Sequence, residues 1–265
     1  MRLRTILLWI WLFPVLCPAQ SPDRLICNRI FSFAFEHKLV AKPVGEVMVA
    51  IGREFLHAPY EAHTLDQADP EKLVVNLRAF DCVTLVENIL ALTRCIKQNR
   101  LSYDAFLQEL TALRYRNGEV RGYSSRLHYF SEWIRDNERK GIVADETKQL
   151  GGTPSRKSID FMTAHRNAYP QLSDDQTFTA MRHIEDSLSV QEFYYIPKGR
   201  VRSASSGIQN GDIIAVTTAQ AGLDISHTGI AVKTSDGSIH LLHAPNERGK
   251  IRITAEPLWV HLRNS

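Results

Sequence analysis

The chain has 265 residues, with 32 lysines and arginines against 29 aspartates and glutamates, and its formal net charge is +3. Cleavage of the predicted leader, residues 1–19, lowers this charge to +1. So small a charge gives the mature chain no electrostatic reason to bind nucleic acid or an anionic membrane surface. The remaining length, about 245 residues, fits one large domain or a core with an added subdomain.

The first 19 residues are predicted to be a signal peptide. Arg2 and Arg4 form a charged start, and Ile6–Cys17 is an apolar run too short to remain in a bilayer as a helix. Small residues at the end of this region favour cleavage after Ala19. Lipidation of the cysteine that ends the run is the alternative, but the bulky Leu16 before it argues against that processing. We therefore expect a secreted or periplasmic protein with no membrane contact beyond the cleaved leader.

Apolar residues recur at helical spacing through most of the chain before residue 190. The predicted helices are Ser21–Leu39, Val44–His57, a buried helix that begins at Cys82, Ser102–Leu113, the second half of Tyr123–Ile134, and two around Ile159–Ala168 and Asp174–Leu188. Ser124 or Ser125 is the predicted cap of the fifth helix. Residues 141–190 carry no chemical motif and are interpreted as packing.

The last third of the chain changes character, because short β-branched runs alternate with Gly, Asn and Asp turn signals. The runs are Phe193–Ile196, Asp212–Val216, Gly229–Val232, Ile239–His243 and Ile251–Ile253. Together they predict an antiparallel meander. Helices followed by strands are typical of the α+β class, and no linker marks a domain boundary. We therefore predict one α+β domain over residues 20–265, and a monomer.

Cys82 is the most distinctive position in the helical part of the chain. Asp81 can cap the helix, since a carboxylate accepts hydrogen bonds from the unpaired amides of the first turn. A thiol at the first helical position lies at the positive end of the helix dipole, which predicts a lowered pKa and a nucleophilic thiolate. The alternative is a small buried cysteine that packs like alanine. Cys27 and Cys95, the other cysteines of the mature chain, are then left to pair or to stay buried.

Two histidines lie at matching ends of adjacent predicted strands. His227 opens one strand and His243 closes the next, so antiparallel pairing puts them side by side. A cysteine nucleophile needs a base within hydrogen-bond reach, and the base needs a polar group that orients it. Cys82, His227 and His243 fit these three roles in that order. A zinc site made of the two histidines and a carboxylate such as Asp212 is the rival use of the pair.

Short motifs around these residues follow one another in a fixed order. They are Pro59-Tyr60, Phe80-Asp81-Cys82-Val83-Thr84, Gly211-Asp212-Ile213-Ile214, Ser226-His227-Thr228-Gly229-Ile230 and Leu242-His243-Ala244. This series resembles the motifs of the NlpC-type papain-like cell-wall cysteine peptidases. Two longer stretches, Arg114–Gly118 and Tyr123–Phe130, are similar to its N-acetylmuramoyl-L-alanine amidase-like branch. The chain departs from the family in the longer gap between its two histidines and at Thr84, where many members have Gly.

The resemblance implies a papain-like, NlpC-type α+β core, in which a central helix carrying the nucleophile packs on an antiparallel sheet, with extra helices inserted. It also implies a cysteine amidase that needs no metal or cofactor and acts on peptidoglycan or muropeptides. In this branch the expected target is the N-acetylmuramoyl-L-alanine bond. Two alternatives stay open: the bond between D-glutamate and the diamino acid, and a catalytically inactive wall-binding protein.

The same resemblance assigns residues to the reaction. Cys82 is the expected nucleophile, His227 the base and His243 the third residue of the site. Residues expected to contact the oxyanion or the substrate are Tyr60, Asp81 and Ser226 near the thiol, and Arg116, Arg126 and Tyr129 in a groove for the muramyl sugar or the stem-peptide carboxylates. The alternative for Arg126 and Tyr129 is a solvated face with its aromatic rings turned to the core.

Overall fold

A computed structural model describes residues 20–66, 70–245 and 249–264, so the predicted signal peptide lies outside the described residues. The helices are α1 (Pro22–Glu36), α2 (Val44–Arg53), α3 (Cys82–Lys97), α4 (Tyr103–Arg114), α5 (Phe130–Arg139), α6 (Phe161–Ala164), α7 (Asp175–Ser189), α8 (Val201–Ala204) and α9 (Leu258–Asn264). The strands are β1 (Thr153–Ser155), β2 (Phe193–Tyr195), β3 (Ile213–Thr217), β4 (Ile225–Lys233), β5 (Ile239–His243) and β6 (Arg252–Ile253). This order confirms the predicted α+β class. Within the described ranges, no helix is both long and apolar enough to cross a membrane.

Helix α3 lies at the centre of the largest apolar core. Leu85, Val86, Ile89, Ala91 and Leu92 cover several faces of the helix and are all fully buried. The helix packs against α2, α4 and β4. Burial of one such side chain contributes roughly 1.5–3 kcal/mol relative to leaving it exposed. The helix that begins at Cys82 is therefore held from several sides.

Three helices are capped by the residue predicted to open them, and the fifth helix does not begin where predicted. The side chains of Ser21, Ser102 and Asp174 each accept a hydrogen bond from the backbone amide three residues later. The prediction of Ser124 or Ser125 as a cap is wrong, because Tyr123–Ser125 forms a short 3-10 turn and α5 begins only at Phe130. The Ser125 hydroxyl instead donates to the Gly122 carbonyl oxygen at 2.7 Å.

Four strands form one antiparallel sheet in the order β3-β4-β5-β6, as the predicted meander requires. The aromatic run Phe193–Tyr195 is an exception. It was expected in this sheet, but as β2 it pairs with β1 in a separate two-stranded ribbon. An aromatic run fits any half-buried pleated surface, so it does not identify its partner strand.

A second apolar cluster is formed mainly by residues that lie between α5 and β3 in the sequence, in the segment interpreted as packing. Its buried members include Ile159, Met162, Leu172 and Met181. Tyr129, which immediately precedes α5, is also part of it. The helices of this segment therefore share a core of their own beside the main one.

Cys27 on α1 and Cys95 on α3 are both fully buried free thiols. Burial is the main cause that raises the pKa of each to about 12. Of the two states that the sequence left open, the structure has the unpaired one.

The start of α2 crosses the turn before β3 at backbone contact distance. A Cβ on Gly45 would lie 1.8 Å from the Asn210 carbonyl oxygen, and a Cβ on Gly211 would lie 2.3 Å from the Gly45 Cα. Gly211 also has a φ of +89°, a conformation that side chains with a Cβ rarely adopt. Glycine at both positions therefore lets α2 approach the sheet closely.

Gly45→Ala is expected to lower the free energy of unfolding by about 3 kcal/mol or more, since the backbone at Asn210 cannot yield without displacing β3. Gly199→Ala is the matched control, because nothing lies within 4 Å of a Cβ added there. Urea denaturation of both variants measures the difference. Equal stability of the two variants would contradict the close approach.

Candidate active site

Cys82 is the first residue of α3 and Asp81 caps the helix, as predicted. Asp81 Oδ1 accepts a hydrogen bond from the Thr84 amide at 2.7 Å, and the Asp81 amide donates to Thr84 Oγ1 at 3.0 Å. A cap of this kind contributes about 1 kcal/mol and fixes the backbone beside the thiol. The Cys82 carbonyl oxygen accepts from Thr228 Oγ1 at 2.8 Å, which ties the first turn of α3 to β4. A substrate role for Asp81 stays a prediction beside this capping role.

The Cys82 thiol does not have the lowered pKa that its place at a helix start predicts. Burial raises its pKa above the ordinary value, and the negative charge of Asp81 raises it further, while hydrogen bonding to Thr228 works in the opposite direction. Loss of water and an adjacent carboxylate both favour the neutral thiol over the thiolate. The resting sulfur at neutral pH is a protonated thiol.

The two histidines of the sheet are in direct contact. His227 Nε2 and His243 Nδ1 are 2.8 Å apart, and the two ring planes meet at 84°. The strand register explains the contact: Ile230 pairs with Leu242, so His227 and His243 are diagonal neighbours on one face. Burial lowers the pKa of His227 to about 4 and that of His243 to about 3, so both rings are neutral at pH 7.

Strand β4 carries both His227 and the residue that binds the start of α3. Thr228, which binds the Cys82 carbonyl, points to the α3 side, as does Ile230 two residues later. His227 faces the other side of the strand, where it meets His243. In the described part of the chain no hydrogen bond joins the Cys82 thiol to the His227 ring. Contact between nucleophile and base therefore stays a prediction, although their backbones are brought together.

Two further residues predicted near the thiol lie beside these elements. Tyr60 forms a parallel bridge with Phe80, two residues before Cys82. Ser226 is exposed and directly precedes His227, at the point where the register between β3 and β4 shifts. Such irregularities redirect side chains at the edges of sites. The oxyanion and substrate roles of Tyr60 and Ser226 stay predictions.

Arg116 and Arg126, predicted to line the groove, both have acidic partners within the protein. Arg116 Nε donates to Glu132 Oε1 at 2.9 Å, and Arg126 donates to Asp66 Oδ1 at 2.9 Å. The Arg126 side chain is only 7% exposed. A carboxylate of the substrate would have to displace these partners, and substrate recognition by the two arginines stays a prediction.

Tyr129, the third residue predicted for the groove, is 1% exposed. Its hydroxyl donates to Glu185 Oε1 at 2.6 Å and accepts from the Met162 amide at 3.0 Å. These contacts give the side chain an interior role that ties the start of α5 to α6 and α7. Substrate binding by Tyr129 stays a prediction, and it would require the ring to move out of this buried position.

Three residues of the region were missed by the sequence analysis. Thr228 is one of them, because nothing in the sequence apart from the motif around it indicates a role for its hydroxyl. The others are His261 on α9, whose ring centroid lies 5.3 Å from that of His243, and Glu256, whose Oε1 lies 2.8 Å from His261 Nδ1. The apolar run that forms α9 at the end of the chain was the available signal for this second pair.

The side chains near the two histidines do not form the zinc site weighed above. The Asp212 carboxylate accepts a hydrogen bond from the Gln209 amide at 2.7 Å and so belongs to the turn before β3. Among the residues that the structure describes, no group of three His, Cys, Asp or Glu side chains is arranged to hold a metal ion. The histidine pair is therefore interpreted through acid–base chemistry.

Residues 50–265 match a family model described as AmiA-like, N-acetylmuramoyl-L-alanine amidase-like. The matched range covers most of the chain and includes the cysteine and both histidines of the candidate site. No curated protein matches the chain.

Solved structures resemble the fold along most of its length. A Bacteroides uniformis ATCC 8492 N-acetylmuramoyl-L-alanine amidase is 39% identical and has a TM-score of 0.78, covering 84% of this chain and 94% of that chain. A Bacteroides fragilis protein, described provisionally as a xylanase, is 36% identical with a TM-score of 0.75, covering 82% and 95%. A Legionella pneumophila protein with 20% identity and a TM-score of 0.68, covering 91% and 90%, shares the fold. The family match and the first two relatives show that the chain belongs to the AmiA-like, N-acetylmuramoyl-L-alanine amidase-like family.

Proposed function

We propose that the protein is a secreted cysteine amidase that hydrolyses the bond between N-acetylmuramic acid and L-alanine in peptidoglycan or its fragments. Family membership supports the substrate class. The observation that carries the mechanism is the 2.8 Å contact between His227 and His243, next to the Thr228 hydroxyl that binds the Cys82 carbonyl. The finer fold assignment is part of the proposal: a papain-like, NlpC-type core with α3 as the nucleophile helix.

In the proposed reaction, His227 takes the proton from Cys82 as the sulfur attacks the carbonyl carbon. Both groups start uncharged, because the pKa of the thiol is raised and that of the imidazole is lowered to about 4. These directions favour proton transfer during the attack over a preformed imidazolium–thiolate pair. His243 orients the His227 ring through their hydrogen bond.

The remaining steps use groups at the start of α3. The backbone amide of Cys82, with Tyr60, stabilises the oxyanion, and one such donor typically contributes about 3 kcal/mol. His227 then gives its proton to the departing amine, and water hydrolyses the thioester with His227 again acting as base. Hydrolysis of a sugar–sugar bond would instead require two carboxyl groups flanking that bond. Cysteine and histidine are suited to acyl transfer.

Cys82→Ala is expected to lower kcat for amide hydrolysis by about 10⁴-fold or more, since the nucleophile is removed. Cys27→Ala is the matched control, because that thiol is fully buried on α1 and takes no part in the reaction. Iodoacetamide should label Cys82 alone at pH 8 and abolish activity, since the pKa of both other thiols is about 12. Full turnover by Cys82→Ala, or inhibition by EDTA instead of iodoacetamide, would refute the mechanism.

The bond that is cut can be identified with defined muropeptides and mass spectrometry of the products. Release of an intact peptide that begins with L-alanine is the expected result. A sugar that retains L-alanine and D-glutamate would instead identify an endopeptidase of the same fold. Absence of any product from a correctly folded protein with a reactive Cys82 would indicate a wall-binding protein and reject the proposal.

The pH dependence of kcat/KM should have its acid limb near pH 4. The base must be unprotonated to act, and burial lowers the pKa of His227 to about 4, so activity is lost as the pH falls through that value. Circular dichroism over the same range identifies any loss that comes from unfolding. An acid limb near 6.5, the ordinary pKa of histidine, would contradict the buried neutral base.

A further inference from the structure

The contact between His227 and His243 has one proton to share, and its position decides whether His227 can act as a base. If His227 carries it on Nε2, its Nδ1 has a free lone pair that can take the proton of the thiol. If His243 donates from Nδ1, a neutral His227 carries its own proton on Nδ1 and cannot act as a base there. The proposed function therefore requires the first arrangement, in which His243 carries its proton on Nε2.

That arrangement leaves a buried donor at His243. The ring is 2% exposed, and its Nε2 has no hydrogen-bond partner among the described residues. A buried N–H without an acceptor is unfavourable, and this disfavours the tautomer on which the base depends. The required tautomer of His243 therefore needs an acceptor beside Nε2.

His261 on α9 presents a second imidazole at this place. The ring centroids of His243 and His261 are 5.3 Å apart and the planes meet at 75°. The hydrogen-bonded pair of His227 and His243 has nearly the same geometry, 5.0 Å and 84°. The second pair of rings is therefore arranged nearly as the first pair is, and His261 is a candidate acceptor for His243 Nε2.

Glu256 determines which nitrogen of His261 is available. Its Oε1 lies 2.8 Å from His261 Nδ1, and an ionised carboxylate only accepts hydrogen bonds. A neutral His261 therefore carries its proton on Nδ1 and has a free lone pair on Nε2. A hydrogen bond from His243 Nε2 to that lone pair would make each ring donate toward Glu256 and would keep the His243 proton on Nε2.

We infer that His261, oriented by Glu256, is a positioning residue that sets the tautomer of His243 and thereby the base form of His227. Its catalytic consequence rests on the proposed function. The tautomer itself is a property of the resting protein and can be measured without substrate.

The first test is the protonation pattern of histidine ring nitrogens, measured by NMR on the folded chain labelled with ¹⁵N-histidine. The expected pattern has protons on Nε2 of His227, Nε2 of His243 and Nδ1 of His261. His261→Phe keeps a ring but offers no acceptor, so the His243 proton should move to Nδ1. His261→Gln should restore the native pattern at His243, because its amide oxygen can accept. A native protein with His243 protonated on Nδ1 would overturn the inference.

The second test is turnover of a muropeptide. His261→Phe should lower kcat about ten- to a hundred-fold with KM unchanged, and His261→Gln should recover most of the loss. Glu256→Ala should lower kcat in the same direction, and it keeps the inference testable if His261→Phe fails to fold, since Glu256 lies outside the buried core. His240→Gln is the control, because His240 Nδ1 contacts the Thr254 carbonyl and lies outside the row of rings.

The two tests separate this inference from the proposed function. The expected NMR pattern in a protein without amidase activity would reject the function and support the tautomer assignment. Amidase activity combined with an unchanged kcat and an unchanged His243 tautomer in His261→Phe would overturn the inference and leave the function standing.

Discussion

The hydrogen bond from the Thr228 hydroxyl to the Cys82 carbonyl oxygen joins two parts of the chain that are 146 residues apart in sequence. One partner begins the helix that carries the sulfur, and the other lies next to His227 on β4. The bond can form only because α3 packs its apolar side on the sheet, where Ile89 and Ile230 belong to the same core. Packing of the core therefore brings the helix that begins at Cys82 close to the strand that carries His227.

A buried ion pair between α3 and α4 also constrains this helix. Glu87 and Arg114 have side chains that are each 2% exposed, and Arg114 Nε lies 2.7 Å from Glu87 Oε2. Arg114 also donates to the Val74 carbonyl oxygen, in the segment that leads to the nucleophile. Loss of one partner of such a pair leaves an uncompensated buried charge, at about 3–5 kcal/mol. The pair therefore holds α3, α4 and the approach to Cys82 in one arrangement.

Local signals in the sequence were sufficient for much of this fold. The helix at Cys82 could be predicted because its apolar residues and the cap at Asp81 are both local features. The contact of His227 with His243 could be predicted because a hairpin register follows from the turn between two strands. Features that depend on distant partners could not be predicted in this way. The pairing of β2 with β1 and the contact of His261 with His243 are of this kind, because no local sequence pattern indicates which distant residue is the partner.

The direction of the Cys82 pKa illustrates the same limit. A helix start is visible in sequence and predicts a lowered value, but the extent of burial is not visible there. Burial and the charge of Asp81 dominate in the folded chain. Sequence analysis therefore predicted the position of the sulfur correctly and the direction of its pKa shift wrongly.

The ribbon of β1 and β2 has a consequence for how this architecture can vary. Pairing of Thr153–Ser155 with Phe193–Tyr195 brings the two ends of residues 156–192 together, and Tyr129 anchors α6 and α7 of this segment to the start of α5. In a flexible loop whose ends are held together, each doubling of length costs only about 0.6 kcal/mol in closure entropy. An insertion at an exposed turn of this segment would therefore lengthen chain whose ends are already paired, and the four-stranded sheet would keep its register.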